Sequence, residues 1–162
     1  MTRFGQLLKL LTDEHVEFVV IGGLAVIAHG YPRATLDLDV CYSRTHTNLG
    51  RLVAALGPLH PRLRGAPPEL PFFWDERTLK NGLNFTLVTD LGELDLLGEV
   101  TGLGEYGDVA QRALEIDIHG SSVKLISLED LIRSKAAAGR AKDLVDLEAL
   151  RAISAKLRAS RS

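Results

Sequence analysis

Residues 36–40, LDLDV, alternate apolar and acidic side chains without a break, which commits this part of the chain, through Tyr42, to a β-strand. Side chains at i and i+2 leave a strand on the same face, about 6.8 Å apart. Asp37 and Asp39 therefore project together, and Leu36, Leu38 and Val40 are expected to face the other way into a core. Aspartate is a poor strand former, so two in one strand are a local inconsistency that function can explain. Carboxylates this close repel each other, and divalent cations between them offset the repulsion; the spacing suits two ions about 3.5–4 Å apart. Magnesium, with manganese as the alternative, is the expected ion because it takes carboxylates completed by water and substrate phosphates. The competing reading is a solvated strand face.

The flanking residues favour the metal reading. EFVVI (Glu17–Ile21) reads as a short apolar strand that ends at Gly22-Gly23, and LAVIAHG then reads as a helix closed by Gly30. Glycines between a strand and a helix let backbone N–H groups approach a phosphate. Arg33 and Thr35, just before the carboxylates, can contact triphosphate oxygens, Arg33 through its forked donors. Taken singly, the glycines also fit a tight turn, and Arg33 and Thr35 an exposed loop.

The rest of the chain supplies the frame. The periodicity predicts helices over Thr2–Asp13 and Thr47–Leu56, and strands in NFTLVTD and GELDLLG joined by a turn around Asp90-Leu91-Gly92. LEIDIHG and SVKLIS read as a hairpin turning at Gly120-Ser121. Ser127 opens a helix, with Asp130 as an approximate capping-box partner; it breaks at Gly139 and resumes as AKDLVDLEALRAISAKLRAS. Strands interleaved with helices, and hairpins late in the chain, predict an α/β (α+β) fold: a mixed β-sheet packed with helices, with a C-terminal helical tail. A chain of 162 residues is expected to be one domain, with a sheet core over 1–126 and the tail over 127–162. Within the tail, Leu128, Leu131, Ile132 and Lys135 share one stripe, so Lys135 needs a carboxylate or a phosphate. A triphosphate contact and an ion pair with Asp143 or Asp146 are both open.

No apolar run approaches the roughly 18 residues needed to span a bilayer, and a lone cysteine, Cys41, fits a reducing compartment, so a cytoplasmic protein is expected. A net charge of −2 argues against a protein that coats nucleic acid. Its distribution is uneven: residues 43–68 hold four arginines and no acid, and residues 69–117 hold eleven acids against three bases.

Two glycines after a strand, a helix and then an Arg-x-Thr-x-Asp-x-Asp strand resemble the polymerase-β-like nucleotidyltransferase superfamily. Within it, the resemblance is to the small bacterial branch around the AbiEii toxins. The tail SLEDLIRSKAAAGRAKDLVDLEAL is similar to the tail of these relatives, so the likeness covers most of the chain. It implies a third carboxylate on a neighbouring strand. Asp95 is the candidate, preferred to Glu93 on the same face because it is embedded among leucines. The resemblance further implies transfer of a nucleoside monophosphate from a nucleoside triphosphate to a hydroxyl. Asp37, Asp39 and Asp95 would hold metal, and Gly22, Gly23, Arg33, Thr35 and Lys135 the triphosphate. The acceptor could be RNA, such as a transfer RNA end, with the protein acting as a toxin against a cognate antitoxin; a protein side chain and a small molecule such as an aminoglycoside stay open as acceptors. The alternative is an inactive module of the same fold that binds nucleotide or a partner protein.

Other signals are weaker. GLGEYG (Gly102–Gly107) matches a dinucleotide-binding pattern, but Glu105 and Asp108 would repel a pyrophosphate, and it reads as a loop. Cys41 reads as a small buried hydrophobe, and the five histidines lack zinc-ligand spacing. Trp74 and Phe72-Phe73 read as core packing.

Overall fold

The computed structural model describes residues 1–161, so Ser162, the last residue of the expected tail, lies outside the described residues. Helix α1 (Phe4–Asp13) buries Leu7, Leu8 and Leu11 as one stripe. Strand β1 (Phe18–Ile21) is buried at all four positions and runs directly into α2 (Gly22–Ala28). The helix therefore opens at the Gly-Gly pair itself, with Gly22 making the turn from the strand at φ +68°. Strand β2 (Asp37–Tyr42) leads to α3 (His46–Leu56), where the Thr45 side chain accepts the N–H of Asn48.

Periodicity did not reveal the next two elements, β3 (Arg62–Leu63) and α4 (Glu76–Asn81), which are too short to show one. The hairpin β4 (Asn84–Thr89) and β5 (Gly92–Leu97) follows as expected. The GLGEYG segment is more ordered than a loop: β6 (Glu99–Val100) pairs with β7 (Gly104–Glu105), and α5 (Tyr106–Ala110) starts within it. The carboxylate of Asp108 accepts the N–H of Glu105 at 3.0 Å and caps that helix. Strands β8 (Leu114–Ile118) and β9 (Ser121–Leu125) form the second hairpin.

Seven strands form one mixed sheet in the order β3-β4-β5-β2-β1-β9-β8. β2 is antiparallel to β1 but parallel to β5, and β1 is parallel to β9. Leu38, Val40, Leu87, Leu94 and Leu96 are fully buried in the core. Leu36 departs from expectation: it is 71% exposed, because the ladder begins at Asp37 and Leu36 precedes it. Phe73 is likewise exposed, whereas Trp74 packs on the core and donates its indole N–H to the Val53 carbonyl.

In the tail, α6 (Leu128–Ala138) starts at Ser127, whose hydroxyl accepts the N–H of Asp130 at 3.1 Å. The reciprocal half of the expected box is replaced, since the Asp130 carboxylate takes Arg112 at 2.8 Å and Arg133 at 3.5 Å instead. Gly139, in the left-handed region at φ +65°, ends α6, and α7 (Ala141–Ser160) packs back along it. Among the described residues, no helix is long and apolar enough to cross a membrane.

Candidate active site

The acidic cluster comes from strand register. β2 and β5 pair in parallel with Asp39 opposite Asp95 and Asp37 opposite Glu93. Because side chains alternate, all four acids leave the same face of the sheet, while Leu38, Leu94 and Leu96 leave the other. Carboxylate oxygens of Asp37, Asp39 and Asp95 lie within 4.8 Å of one another. Burial, then the charges of Asp37 and Asp95, pushes the Asp39 carboxyl up to about 8. Burial also raises the Asp95 carboxyl, against hydrogen bonds from Asp39 and Arg64 that pull it down. A hydrogen bond between Asp39 and Asp95 thus favours the proton on Asp39. Three crowded carboxylates, one of which keeps a proton near neutrality, are a hard-oxygen donor set that fits magnesium or manganese.

Backbone closes on this cluster from β1. Ile21 pairs with Asp39, which brings the start of α2 over the carboxylates. Gly22 adopts φ +68°, and a Cβ there would lie 1.9 Å from Oδ2 of Asp39. A Cβ on Gly23 would meet the Thr35 hydroxyl at 2.5 Å. Thr35 itself points toward the Asp37 carbonyl at 3.4 Å.

The cations expected to meet phosphate are held by two aspartates of α7. Arg33 donates through Nε and Nη2 to the two oxygens of Asp146, at 2.9 and 3.0 Å. The ammonium of Lys135, on α6, lies 3.0 Å from Asp146 and 3.2 Å from Asp143. Lys135 is thus in the ion pair that its inward position allowed. Asp143, fully buried, also accepts Arg140 Nε at 2.6 Å. Burial alone would raise the Asp143 carboxyl, but hydrogen bonds from Arg140 and Lys135 outweigh it and hold the group below its ordinary range. Asp37, Asp39, Asp95, Gly22, Gly23, Arg33, Thr35 and Lys135 all line one cleft of about 770 Å³, with Arg140, Lys142 and the exposed Val145 on its wall.

Sequence reasoning missed Arg64. It follows β3, and its Nη2 donates to Asp95 at 2.8 Å and to the Leu87 carbonyl at 2.9 Å. Its Nη1 is 3.7 Å from Asp37 and its Nε 3.8 Å from Glu93. The only sequence signal was the acid-free, arginine-bearing stretch over 43–68, which left the target open. Cys41, fully buried with its thiol pushed up to about 12 by burial and then by the Glu105 charge, is an inert core residue.

The sheet order and the carboxylates across β2 and β5 define a protein of the nucleotidyltransferase fold. Comparison with known proteins agrees. Residues 90–161 match the family described as "nucleotidyl transferase of unknown function" (DUF2204), a span that takes in Asp95 and the tail but not Asp37 or Asp39. No curated protein matches the sequence. Among solved structures, the chain is similar to the lincosamide antibiotic adenylyltransferase LnuA with lincomycin bound. The TM-score is 0.60 at 18% identity, over 94% of this chain and 98% of that one. It is similar to ANT(2'')-Ia in complex with adenylyl-2''-tobramycin, with a TM-score of 0.56 at 17% identity, over 98% of this chain and 97% of the other. A Thermotoga maritima protein proposed to be a nucleotidyltransferase gives 0.57 at 16% identity, over 91% and 93% of the two chains. At these identities the likeness is one of fold.

Proposed function

We propose that the protein transfers a nucleoside monophosphate from a nucleoside triphosphate to a hydroxyl group. The acceptor oxygen bonds to the α-phosphorus, the bond from that phosphorus to the α–β bridging oxygen breaks, and pyrophosphate leaves. The observation that carries this reading is the register of Asp39 against Asp95, which gathers three carboxylates beside a bare glycine backbone. Asp37, Asp39 and Asp95 would hold magnesium or manganese, which when bound supplies charge neutralisation at the phosphates. Asp95 takes the proton of the attacking hydroxyl. Gly22 and Gly23 leave room for the triphosphate against the backbone, and Arg33, Thr35 and Lys135 donate to its oxygens. Asp146 keeps Arg33 and Lys135 in place beforehand, so little reorganisation remains when phosphate arrives. Because α6 and α7 supply Lys135 and Asp146 to the same cleft as the sheet, residues 1–162 act as one catalytic unit.

For the acceptor we favour RNA, in keeping with the resemblance to the toxin branch. Arg140 and Lys142 on the cleft wall give phosphodiester groups a basic approach. In that role the protein would be the toxin of a toxin–antitoxin pair acting in the cytoplasm. A small hydroxylated acceptor is the second reading, favoured by the fold shared with two antibiotic-modifying proteins.

The test is transfer of label from each α-labelled nucleoside triphosphate, with magnesium, into total RNA, into aminoglycosides and lincosamides, and into protein. Label in RNA that disappears in Asp37→Asn and Asp39→Asn supports the RNA reading, and label in an antibiotic supports the second. No transfer to any acceptor, together with no magnesium-dependent thermal stabilisation by nucleotide, would overturn both.

A further inference from the structure

Arg64 reaches the acidic cluster although it is not among the residues that line the cleft, and its contacts are unusual for a structural arginine. Only Nη2 makes true hydrogen bonds, to Asp95 and to the Leu87 carbonyl. The approaches of Nη1 to Asp37 and Nε to Glu93, at 3.7 and 3.8 Å, are ionic but too long for hydrogen bonds. The Nε atom is buried without any hydrogen-bond partner. An arginine placed for structure alone would satisfy its fork on a carboxylate, as Arg33 does on Asp146. Arg64 instead sits where it is nearest to several negative charges at once, and it leaves a donor unmade to do so. Its side chain keeps a quarter of its surface exposed, so it has a way out toward solvent.

We propose that Arg64 is the internal counter-cation of the carboxylate cluster: it holds Asp95 in the metal-free protein, gives it up when a divalent ion is taken up, and so sets the metal affinity of the site. This rests on the reading of Asp37, Asp39 and Asp95 as metal ligands. The reason for competition is electrostatic. The Asp95 carboxylate that Arg64 holds is one of the three whose oxygens lie within 4.8 Å of one another and would ligate the ion. A guanidinium and a divalent cation on that one carboxylate repel each other strongly at low local dielectric. Arg64 can leave at modest cost, since only one of its carboxylate contacts is a hydrogen bond. It also explains how a cluster of like charges persists in the folded chain before metal arrives. Arg64 is a positioning residue in this account, because it acts on Asp95 and not on substrate.

Manganese binding, read by the electron paramagnetic resonance of the free ion, separates this role from a purely structural one. Arg64→Gln is expected to bind manganese about tenfold more tightly than the parent, while losing thermal stability without metal and regaining it with metal. Arg64→Lys, which keeps a charge but not the fork, should fall between the two. In the parent, the Arg64 side-chain Nε–H resonance should shift on addition of magnesium, a measurement that stands even if Arg64→Gln fails to fold. Unchanged or weaker manganese binding in both variants, or an unmoved resonance at saturating magnesium, would overturn the proposal. If the parent binds no manganese at all, the metal-ligand reading fails first.

Discussion

Gly22 and Asp39 are packed so closely that a single methyl group at Gly22 would sit 1.9 Å from the Asp39 carboxylate. The backbone there is also left-handed, at φ +68°, where a side chain adds strain. Gly22→Ala is therefore expected to lose about 1–3 kcal/mol of stability and to abolish transfer by displacing Asp39. Urea unfolding and the label-transfer assay measure the two effects. A variant with parent stability and activity would show that the contact relaxes freely.

Asp39 should also impose a pH dependence on the metal-free protein. Its carboxyl is raised from the ordinary value of 3.8 to about 8, so the folded state binds this proton more tightly than the unfolded state does. The stabilising contribution is complete below 3.8 and is lost as pH rises through about 8. Thermal unfolding in a chelator should therefore show a midpoint that declines from pH 5 to pH 8.5. Asp39→Asn should flatten that decline and melt higher than the parent at pH 8, by on the order of 5 °C, while losing transfer activity. A parent midpoint that rises over this range would contradict the burial of the carboxyl.

Asp146 ties the loop before β2 to helix α6 by accepting both Arg33 and Lys135. Asp146→Ala leaves two cations without their buried partner, and the expected cost is about 3–5 kcal/mol. The measurement is denaturant unfolding. A loss below about 1 kcal/mol, the scale of an exposed pair, would mean that Asp143 alone suffices for Lys135.

Tyr42 provides a control on the opposite face of β2. Its hydroxyl donates to the Leu83 carbonyl at 2.7 Å and accepts from Arg44 at 2.7 Å. Tyr42→Phe should cost about 1–2 kcal/mol and leave transfer per folded molecule unchanged. A loss of activity in the folded variant would show that the two faces of β2 are coupled.

Much of this site was legible in the chain. Alternation put Asp37 and Asp39 on one face, because the period of a strand is two whatever surrounds it. The Gly22-Gly23 pair, the Ser127 cap and the break at Gly139 were legible for the same reason: each is decided by backbone chemistry within a few residues. Leu36 shows where such reasoning stops, since the period continued through it but the ladder did not.

The sequence by itself determined that Asp37 and Asp39 share a strand face, that Glu93 and Asp95 do likewise, and where the first tail helix starts and breaks. Only the tertiary structure decided that Asp95 rather than Glu93 stands opposite Asp39, that Asp146 takes Arg33 from 113 residues away, and that Arg64 reaches Asp95 from 31 residues away. The division has a physical cause. Side-chain direction is set by local dihedral angles, whereas register and ion pairing are set by how leucine-lined faces bury against one another, a choice that belongs to the whole sheet.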